Sequence, residues 1–287
     1  MAATKPQKTR KSTTTTTTTT AKSASAQQKI YLRINFKTSR ITKASRPALR
    51  LKLNKTKWRS ASAIRLLNAA YTSTISPLVA ALAHETSLSS KTTYGELTPT
   101  FVASMLAEFN VTKRDTFVDL GSGVGNVALQ AHLATGCAAL GCELDAARHA
   151  AALEFKRTLG RMLEAPPRGL DVAGLGSADE LQERVELVCG DVFADAATID
   201  AVDAATLIFS ANLKFGPVLV EAQVDFVLAR MKPGAVFVSL EKVVRGTRTG
   251  CRRTLEALGV REEKRVSGEW AVSWTDKPIR YWVYTRE

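Results

Sequence analysis

The first 84 residues of this 287-residue sequence lack acidic side chains altogether, although they hold 17 lysines and arginines before Glu85. No run of about 18 apolar residues occurs, so we expect no membrane-spanning helix and no membrane partner. Histidine and cysteine are scarce, and the four cysteines form no CxxC pair. We therefore expect no metal site and no disulfide framework, and we predict reduced, buried thiols at Cys137, Cys142, Cys189 and Cys251.

The charge that is present is divided unevenly along the chain. Its net value is +13, yet the 203 residues from Glu85 onward carry 23 basic and 27 acidic side chains. Residues 1–29 include an eight-residue threonine run and too little apolar surface to offset the entropy of ordering. We therefore predict a disordered basic arm over residues 1–59 that binds DNA phosphates without reading the base sequence. An organelle transit peptide is the alternative, although the first 28 residues lack the apolar stripe that such peptides use.

Helical patterning begins near Ala61 and resumes over residues 77–85. The apolar face of this segment is predicted to contain Ile64, Leu66, Leu67 and Tyr71. A loop over residues 89–98 follows. Thr98 and Pro99 then provide an N-cap and a first helical position, so a further helix is predicted to run to about Asn110.

Strands and helices alternate regularly from residue 116 onward. Short apolar strands are predicted at 116–120, 138–142, 185–189, 206–210 and 235–240, and helices at about 125–135, 145–163 and 218–231. This alternation indicates a parallel sheet in a doubly wound, Rossmann-like α/β fold. Two aromatic segments, 270–274 and 280–284, are predicted to close the sheet as an antiparallel pair, as in class I methyltransferases.

A glycine-rich turn over residues 118–126 (VDLGSGVGN) ends the first strand and opens a helix. Glycine lets the backbone approach a ligand closely, and the start of a helix offers free N–H groups. The spacing is GxGxG rather than the GxGxxG of dinucleotide enzymes, and Asp119 would repel a pyrophosphate. A carboxylate suits a ligand with an ammonium and a sulfonium, namely S-adenosyl-L-methionine (SAM). The motif therefore predicts a SAM site that includes Asp119, Gly121, Gly123, Gly125 and Asn126.

Two further acids follow strand ends, where ligands of this fold class bind. Glu143 comes 22 residues after Gly121, at the usual place for a ribose acceptor. Asp191 follows the third strand and is a candidate acceptor for an adenine amino group. The alternative is that Asp119, Glu143 and Asp191 only cap helices.

Taken in order, these motifs closely resemble the disruptor-of-telomeric-silencing family, the non-SET methyltransferases that act on lysine 79 of histone H3. The glycine segment alone would fit many SAM enzymes, whereas the Tyr-Gly-Glu loop and the Ser-Trp-Thr tail are specific in combination. The resemblance covers about residues 61–287. The matching segments are 94–97 (YGEL) with Pro99, 117–125, 141–143 (GCE), 190–191, Asn212 with 215–217 (FGP), 231–232, and 272–275 (VSWT) with 277–278 and Tyr281.

The resemblance implies a role for each matching residue. Tyr94, Glu96 and their loop would close over the methionine end of SAM, and Asp119, Gly121 and Gly123 would hold its amino-acid part. Glu143 would bind the ribose, and Asp191 with Val192 the adenine. The catalytic residues would be Asn212, beside the transferring methyl, and Tyr281. Tyr281 would also form the wall of the lysine channel, together with Phe215 and Trp274. For Trp274 and Tyr281, simple packing within the sheet is the alternative. The sequence departs from the family pattern at Val192, Ala211, Leu213 and Lys214.

We therefore expect a SAM-dependent histone-lysine methyltransferase that acts on nucleosomes as a monomer in the nucleus. Its predicted parts are the basic arm at 1–59, a helical segment with the donor-binding loop at 60–98, and the SAM-binding domain at 99–287. One alternative is an RNA, DNA or small-molecule methyltransferase on the same scaffold, although residues 210–213 (SANL) replace the polar-Pro-Pro-aromatic motif common in amino-directed nucleic-acid enzymes. Another is a catalytically silent chromatin-binding protein, against which the intact glycines, Glu143 and Asn212 argue.

Overall fold

The computed structural model describes residues 47–85 and 96–287, with side chains described over 59–78 and 96–287. Most of the predicted basic arm, and Tyr94 with most of its loop, lie outside the described residues. Eight α-helices occur in the described part: α1 (Pro47–Glu85), α2 (Pro99–Glu108), α3 (Asn126–Thr135), α4 (Ala146–Glu164), α5 (Ala178–Arg184), α6 (Ala196–Ala204), α7 (Gly216–Gln223) and α8 (Arg248–Leu258). None of the helices found there is both long and apolar enough to cross a bilayer.

The first helix begins earlier than the sequence pattern indicates. Its start at Pro47 places residues 47–59 in α1, so the predicted helix start near Ala61 is wrong. Leucine occurs at every second position over residues 49–53, a spacing that does not follow the helical repeat. The apolar pattern therefore does not indicate a helix, although the stretch is rich in leucine, lysine and arginine. These residue types have high intrinsic helix propensity, and proline is favoured at the first helical position.

Seven strands form one sheet in the order β3-β2-β1-β4-β5-β7-β6. The strands are β1 (Thr116–Leu120), β2 (Ala138–Glu143), β3 (Val185–Cys189), β4 (Leu207–Ser210), β5 (Val236–Ser239), β6 (Val260–Val266) and β7 (Arg280–Arg286). The first five are parallel, and β7 runs antiparallel between β5 and β6. This is the class I SAM-dependent methyltransferase fold, as predicted. Strand order reverses between β1 and β4, where doubly wound sheets bind ligands outside the carboxyl ends of their strands.

The predicted strand at 270–274 is wrong, because β7 pairs with β6 instead. Trp270 has a φ of +60°, which no strand residue adopts, and Val272 forms only isolated bridges with Leu97 and Thr275. The true partner, β6, reads VREEKRV and lies at the sheet edge. Charged residues are typical of edge strands because they discourage pairing with other chains, so β6 lacks the apolar signal of a strand.

Alternate residues along the central strands pack on opposite faces of the sheet. One core contains Phe117, Ala139 and Phe209 and lies against α1 to α5, whereas the other contains Val118, Leu140 and Ile208 and lies against α6 to α8. Three of the helices, α5, α6 and α8, are not predicted from the sequence pattern. The cysteine prediction holds for three thiols, but Cys189 is exposed because it ends β3, at the open edge of the sheet.

Helix α1 packs on the core through its predicted apolar face. Leu66 and Leu67 are buried, and the ring of Tyr71 meets that of Phe155 in α4 edge to face, with ring centroids 5.8 Å apart. Arg59 of the same helix donates from Nε to the carbonyl of Leu133 in α3 at 3.0 Å. Residues 59–78 of α1 are therefore part of the folded body.

Candidate active site

The glycine loop after β1 folds over the end of β2. The backbone N–H groups of Gly121 and Ser122 both donate to the Cys142 carbonyl, at 2.9 Å. Gly121 has a φ of +83°, and a Cβ atom there would lie 3.0 Å from Cζ of Phe215. Glycine is therefore required for both its backbone conformation and the space it leaves. The predicted site residues Gly121 and Phe215 are in direct contact.

A second glycine keeps the loop close to β2. A Cβ atom on Gly141 would lie 2.8 Å from the Ser122 Cβ, closer than real Cβ contacts come. The bulk of any other residue at Gly141 would push the glycine loop away from the strand end. The match of residues 141–143 to the family pattern thus has a packing reason as well as the acid at Glu143.

Asp119 is the most perturbed acid of the site. It is 2% exposed, on the same side of the sheet edge as Glu143, which is 6% exposed. Burial, with a smaller contribution from Glu143, raises the pKa of Asp119 from 3.8 to about 8. The Asp119 carboxyl group is therefore mostly neutral at pH 7, and a cation placed beside it would favour its charged form.

Glu143 holds the glycine loop and the start of α4 together. Its Oε2 accepts from the Gly123 N–H at 2.8 Å, and its Oε1 accepts from the Asp145 N–H at 2.9 Å and from Arg148 Nε at 3.2 Å. Each carboxylate oxygen can accept about two hydrogen bonds, so Oε2 keeps capacity for one further donor. Arg148 is a site residue that sequence reasoning missed; the signal was its place in the first turn of the helix that follows Glu143.

Asp191 and Val192 lie at the end of β3 in different environments. Asp191 is exposed and accepts from the Phe193 N–H at 3.0 Å, which makes it the cap of a local turn. Val192 is buried in the core beneath that turn. Gly190 donates to the Glu143 carbonyl at 3.0 Å, so the ends of β2 and β3 are tied together. Asp191 thus caps a turn rather than a described helix, and Asp119 lies within β1.

Asn212 is fully buried, and its amide bonds within the protein. Its Nδ2 donates to Gln223 Oε1 at 2.8 Å, and its Oδ1 accepts from the Glu241 N–H at 2.7 Å. Gln223 in turn donates to Ser210 Oγ at 3.1 Å. Gln223 is the last residue of α7, and a π-helical turn, Val224–Leu228, follows it directly. This network holds the turn after β4, and Gln223 is a second residue that sequence reasoning missed.

The two specific segments of the family pattern are hydrogen-bonded to each other. Glu96 and Ser273 bond through the Glu96 N–H to Ser273 Oγ at 3.0 Å and through the Ser273 N–H to the Glu96 carbonyl at 2.9 Å. Thr98 donates from its N–H to the Ala271 carbonyl at 2.9 Å. The Glu96 side chain also accepts from the Tyr71 hydroxyl at 3.0 Å, which joins the pair to α1. The pairing places Glu96 of the Tyr-Gly-Glu loop directly beside Ser273 of the Ser-Trp-Thr tail.

The predicted aromatic residues are placed differently from one another. Tyr281 lies near the start of β7 and packs edge to face on Phe101 of α2, with ring centroids 5.4 Å apart. Because β7 is antiparallel, its first residues lie at the same edge of the sheet as the carboxyl ends of β4 and β5. Trp274 is 42% exposed. Tyr281 is therefore held against α2 at that edge of the sheet, whereas Trp274 lies at the surface.

The remaining predicted residues, Gly125 and Asn126, lie at the start of α3, directly after the glycine loop. Gly125 is the N-cap of α3 with a φ of +77°, and no side chain caps the helix there. Asn126 is the first residue of α3. Within the described ranges, no group of three or more metal-ligating side chains occurs. The site thus brings together Asp119, Glu143, the glycine loop, Phe215 and the Asn212 turn.

Known proteins are similar in sequence to most of this chain. A relative from Aspergillus fumigatus named "Histone-lysine N-methyltransferase, H3 lysine-79 specific" is 32% identical over 226 residues, or 78% of this chain and 42% of the relative. A relative of the same name from Emericella nidulans is 32% identical over 232 residues, with the same two coverages. The chain thus spans less than half the length of these curated relatives.

Solved structures align over a smaller part of the chain. An RNA methyltransferase from Salinibacter ruber in complex with S-adenosyl-L-homocysteine aligns with a TM-score of 0.41 and 20% identity over 65% of this chain and 91% of that chain. At the level of families, residues 71–286 match the model described as "Histone methylation protein DOT1". This match covers most of the sequence and every site residue from Glu96 to Tyr281, and the chain therefore belongs to the DOT1 histone-methylation family.

Proposed function

We propose that the chain is a SAM-dependent lysine N-methyltransferase that acts on lysine 79 of histone H3 in nucleosomes. Membership of the DOT1 family supports this function, as do the printed names of the two relatives. The single observation that carries the proposal is the buried pair of Asp119 and Glu143 at the point where strand order reverses. A buried acidic pair beside a glycine loop is suited to a cationic ligand of small cross-section.

The residues of the site fit SAM. Asp119 would hold the ammonium of the amino-acid part, because a cation beside it offsets the cost of burying its charge. The free capacity of Glu143 Oε2 suits a ribose hydroxyl, and the absence of a side chain at Gly121 lets a ligand approach the backbone of the loop. When bound, SAM would supply a methyl group that its sulfonium already activates. We place Asp191, Val192, Gly125 and Asn126 around the adenosine, because they follow β3 and the glycine loop at the same edge of the sheet.

The rest of the site would prepare the acceptor amine. A lysine must lose its proton before it can attack, and an apolar surrounding disfavours the ammonium form. Phe215 and Tyr281, with Phe101 behind it, would provide that surrounding, and Trp274 would cover the amine from the surface. We infer that Asn212 is a positioning residue, since its amide holds the turn that carries Phe215. Alignment of donor and amine, rather than a side-chain base, would supply most of the acceleration.

We further propose that the basic N-terminal residues attach the enzyme to nucleosomal DNA and that it works in the nucleus as a monomer. Residues 1–46 carry 11 lysines and arginines and no acid. Phosphates attract such a segment without regard to base sequence, and the attraction falls as salt displaces it.

The decisive experiment is mass spectrometry of recombinant nucleosomes, free histones and RNA after incubation with the full chain and SAM. We expect methyl groups on lysine 79 of histone H3 in nucleosomes and none on RNA. The Asp119→Asn variant is the control for activity that comes from the described site. Methylation of RNA alone would replace the proposed substrate, and SAM binding without any methylation would indicate a silent chromatin-binding protein.

A further inference from the structure

A second cavity lies at the opposite edge of the sheet from the candidate active site. Its volume is about 180 Å³, and its lining includes Arg59, Lys113, His132, Glu180 and Arg184. Lys113 precedes β1, and Arg184 directly precedes β3. Because the strands are parallel, their amino ends meet at one edge, and Arg59 reaches this edge from α1. No residue of this cavity takes part in the proposed methyl transfer.

The cavity has an excess of positive charge. Lys113 is paired with Glu180, with Nζ and Oε1 2.8 Å apart. Over residues 59–78 and 96–287, neither Arg59 nor Arg184 forms an ion pair with a carboxylate of the described chain. Glu180 is the carboxylate that acts on Arg59 across the cavity, and it is already paired with Lys113. Three cationic side chains thus face one carboxylate, and partly buried cations in this state are stabilised by an anion.

Both arginines keep hydrogen-bond donors that the protein does not use. Two N–H groups of each guanidinium donate to backbone carbonyls, at distances from 2.9 to 3.4 Å. These bonds fix the two side chains at the rim of the cavity, in part at the end of α3, where a cation is favourable. A guanidinium has five N–H groups, so each arginine retains donors beyond these bonds. Fixed donors with spare capacity form a preorganised oxyanion site.

His132 forms the buried wall of the cavity. It is 2% exposed, and its Nδ1 lies 2.8 Å from the Cys137 carbonyl, which requires a proton on Nδ1. Burial is the main reason that the pKa of His132 is lowered, and the charges of Arg59 and Arg184 lower it further. The hydrogen bond to the Cys137 carbonyl and the charge of Glu180 raise this pKa, but they do not offset the effect of burial. The imidazole is therefore neutral near pH 7 and gains a proton more readily when an anion enters the cavity.

We propose that this cavity is an oxyanion site that binds a phosphate group through Arg59, Arg184 and Lys113. Its volume is below the roughly 300–1,000 Å³ of pockets that enclose a drug-sized ligand, so a single small group fits the space better than a whole cofactor does. Guanidinium donors match the geometry of phosphate oxygens. The group could come from the backbone of DNA or from free phosphate, because both present the same oxygens.

The test is a titration of the full chain with inorganic phosphate, and separately with a short DNA duplex, at constant ionic strength. The imidazole NMR signals of His132 report the cavity, and isothermal calorimetry and fluorescence anisotropy report affinity. We expect either ligand to raise the pKa of His132, and Arg184→Gln to weaken binding about tenfold or more, as the loss of one charged hydrogen bond does. The matched control is Arg114→Gln, which removes an exposed charge next to Lys113 and should leave the affinity unchanged.

The outcomes separate the sources and decide the proposal. If DNA displaces phosphate from the cavity, as read from the His132 signals, the phosphate group that the cavity binds is that of the DNA backbone. If phosphate binds and DNA does not compete with it, the natural ligand is free phosphate. Both results support the site. Unchanged His132 signals with both ligands would overturn it, as would equal affinity in the wild type and a folded Arg184→Gln variant. If Arg184→Gln does not fold, Lys113→Gln replaces it, since the Lys113 side chain is 64% exposed. SAM binding is measured in parallel, because the proposed methyl transfer does not depend on this cavity.

Discussion

At the scale of single residues, the site depends on a carboxyl group that burial keeps neutral. Asp119 lies next to Glu143, and two negative charges so close in a buried place are costly. Glu143 is stabilised by two backbone N–H groups and by Arg148, so Asp119 is the member of the pair that takes up a proton. This division of roles leaves Asp119 ready to bind a cation.

The first prediction concerns Asp119→Asn. We expect SAM affinity to fall at least a hundredfold, because the charge that balances the ammonium is lost. In the free protein, the raised pKa means that the native state binds the extra proton between pH 3.8 and about 8. The contribution of Asp119 to the free energy of unfolding is therefore fully present below pH 3.8. It falls as the pH rises to about 8, by at most about 1.4 kcal/mol for each pH unit.

Calorimetry with SAM and urea unfolding at pH 5 and pH 8 measure both effects. The variant should lose less stability than the wild type between these two pH values. The control is Asp191→Asn, which removes an exposed carboxylate outside the buried pair. Tight SAM binding by a folded Asp119→Asn variant would contradict the assignment.

The second prediction concerns Gly121→Ala. An added methyl group meets the Phe215 ring at 3.0 Å, and the φ of +83° is strained for alanine. We expect a loss of about 1–3 kcal/mol in the free energy of unfolding and weaker SAM binding. Gly121→Arg should abolish SAM binding altogether. The matched control is Gly268→Ala, where the added methyl group has no neighbour within 4 Å. Equal SAM affinity in Gly121→Ala and Gly268→Ala would refute the close approach at this loop.

At the scale of elements, the site is assembled from segments far apart in the sequence. The residues from Glu96 to Thr98 pair with the residues from Ala271 to Ser273, and Tyr281 then packs on α2. The segment before Glu96 was expected to cover the donor. Residues 96–98, which follow that segment, are therefore anchored by residues 271–273, which have no regular secondary structure of their own.

The third prediction tests this anchor with Ser273→Ala. The substitution removes the hydroxyl that accepts from the Glu96 N–H at 3.0 Å. We expect faster hydrogen exchange at residues 96–98, and SAM affinity lower by a factor of about 3–10, which corresponds to one ordinary hydrogen bond. Thr275→Ala is the control, because among the described residues its hydroxyl accepts from the nearby Lys277 N–H and not from residues 96–98. Unchanged exchange at residues 96–98 would mean that the tail does not hold this segment.

The fourth prediction concerns the turn after β4. Asn212→Ala leaves the Glu241 N–H and the Gln223 amide without their partner, so we expect turnover to fall about tenfold or more. SAM affinity should change little, because the network lies behind the turn. Gln223→Ala breaks the same network from its other side. It should likewise lower kcat and leave SAM affinity nearly unchanged. Wild-type turnover in both folded variants would exclude the positioning role.

At the scale of the whole molecule, a folded body with a mildly acidic sequence follows a strongly basic N-terminal sequence. The family match begins at residue 71, within α1, and ends near the last strand. Residues 1–46 precede every described element and carry 11 basic side chains. Their contribution to binding is therefore expected to be electrostatic and separable from the donor site.

The fifth prediction concerns deletion of residues 1–46. The cut leaves α1 complete and retains Arg59, which bonds to α3. We expect nucleosome affinity to fall about tenfold or more at ~0.1 M salt, with a shallower salt dependence, because fewer counterions are released. SAM affinity and the melting temperature should stay the same. A full-length variant with glutamine in place of these lysines and arginines is the matched control. Equal nucleosome affinity of all three proteins would rule out the tether.

Local signals account for what sequence analysis predicted well. The apolar strands β1 to β5, the Thr98 cap with Pro99, and the glycine turn each depend on residues a few positions apart. The predicted end of the sheet failed for the same reason. Nothing local distinguishes the charged segment of β6 from a surface loop, and nothing local reveals that Trp270 turns the chain with a positive φ.

By itself, the sequence determined the doubly wound sheet, the glycine loop and the identity of the acids at its edge, because strand and turn patterns are written in neighbouring residues. Only the tertiary structure decided how these groups behave. The pKa of Asp119 depends on Glu143 and on burial, and the amide of Asn212 is used by Gln223 and Glu241. The cavity at the opposite edge joins Arg59 to Arg184 across 125 positions. Such properties depend on distances between residues that the fold brings together, and these distances are not visible in a linear pattern.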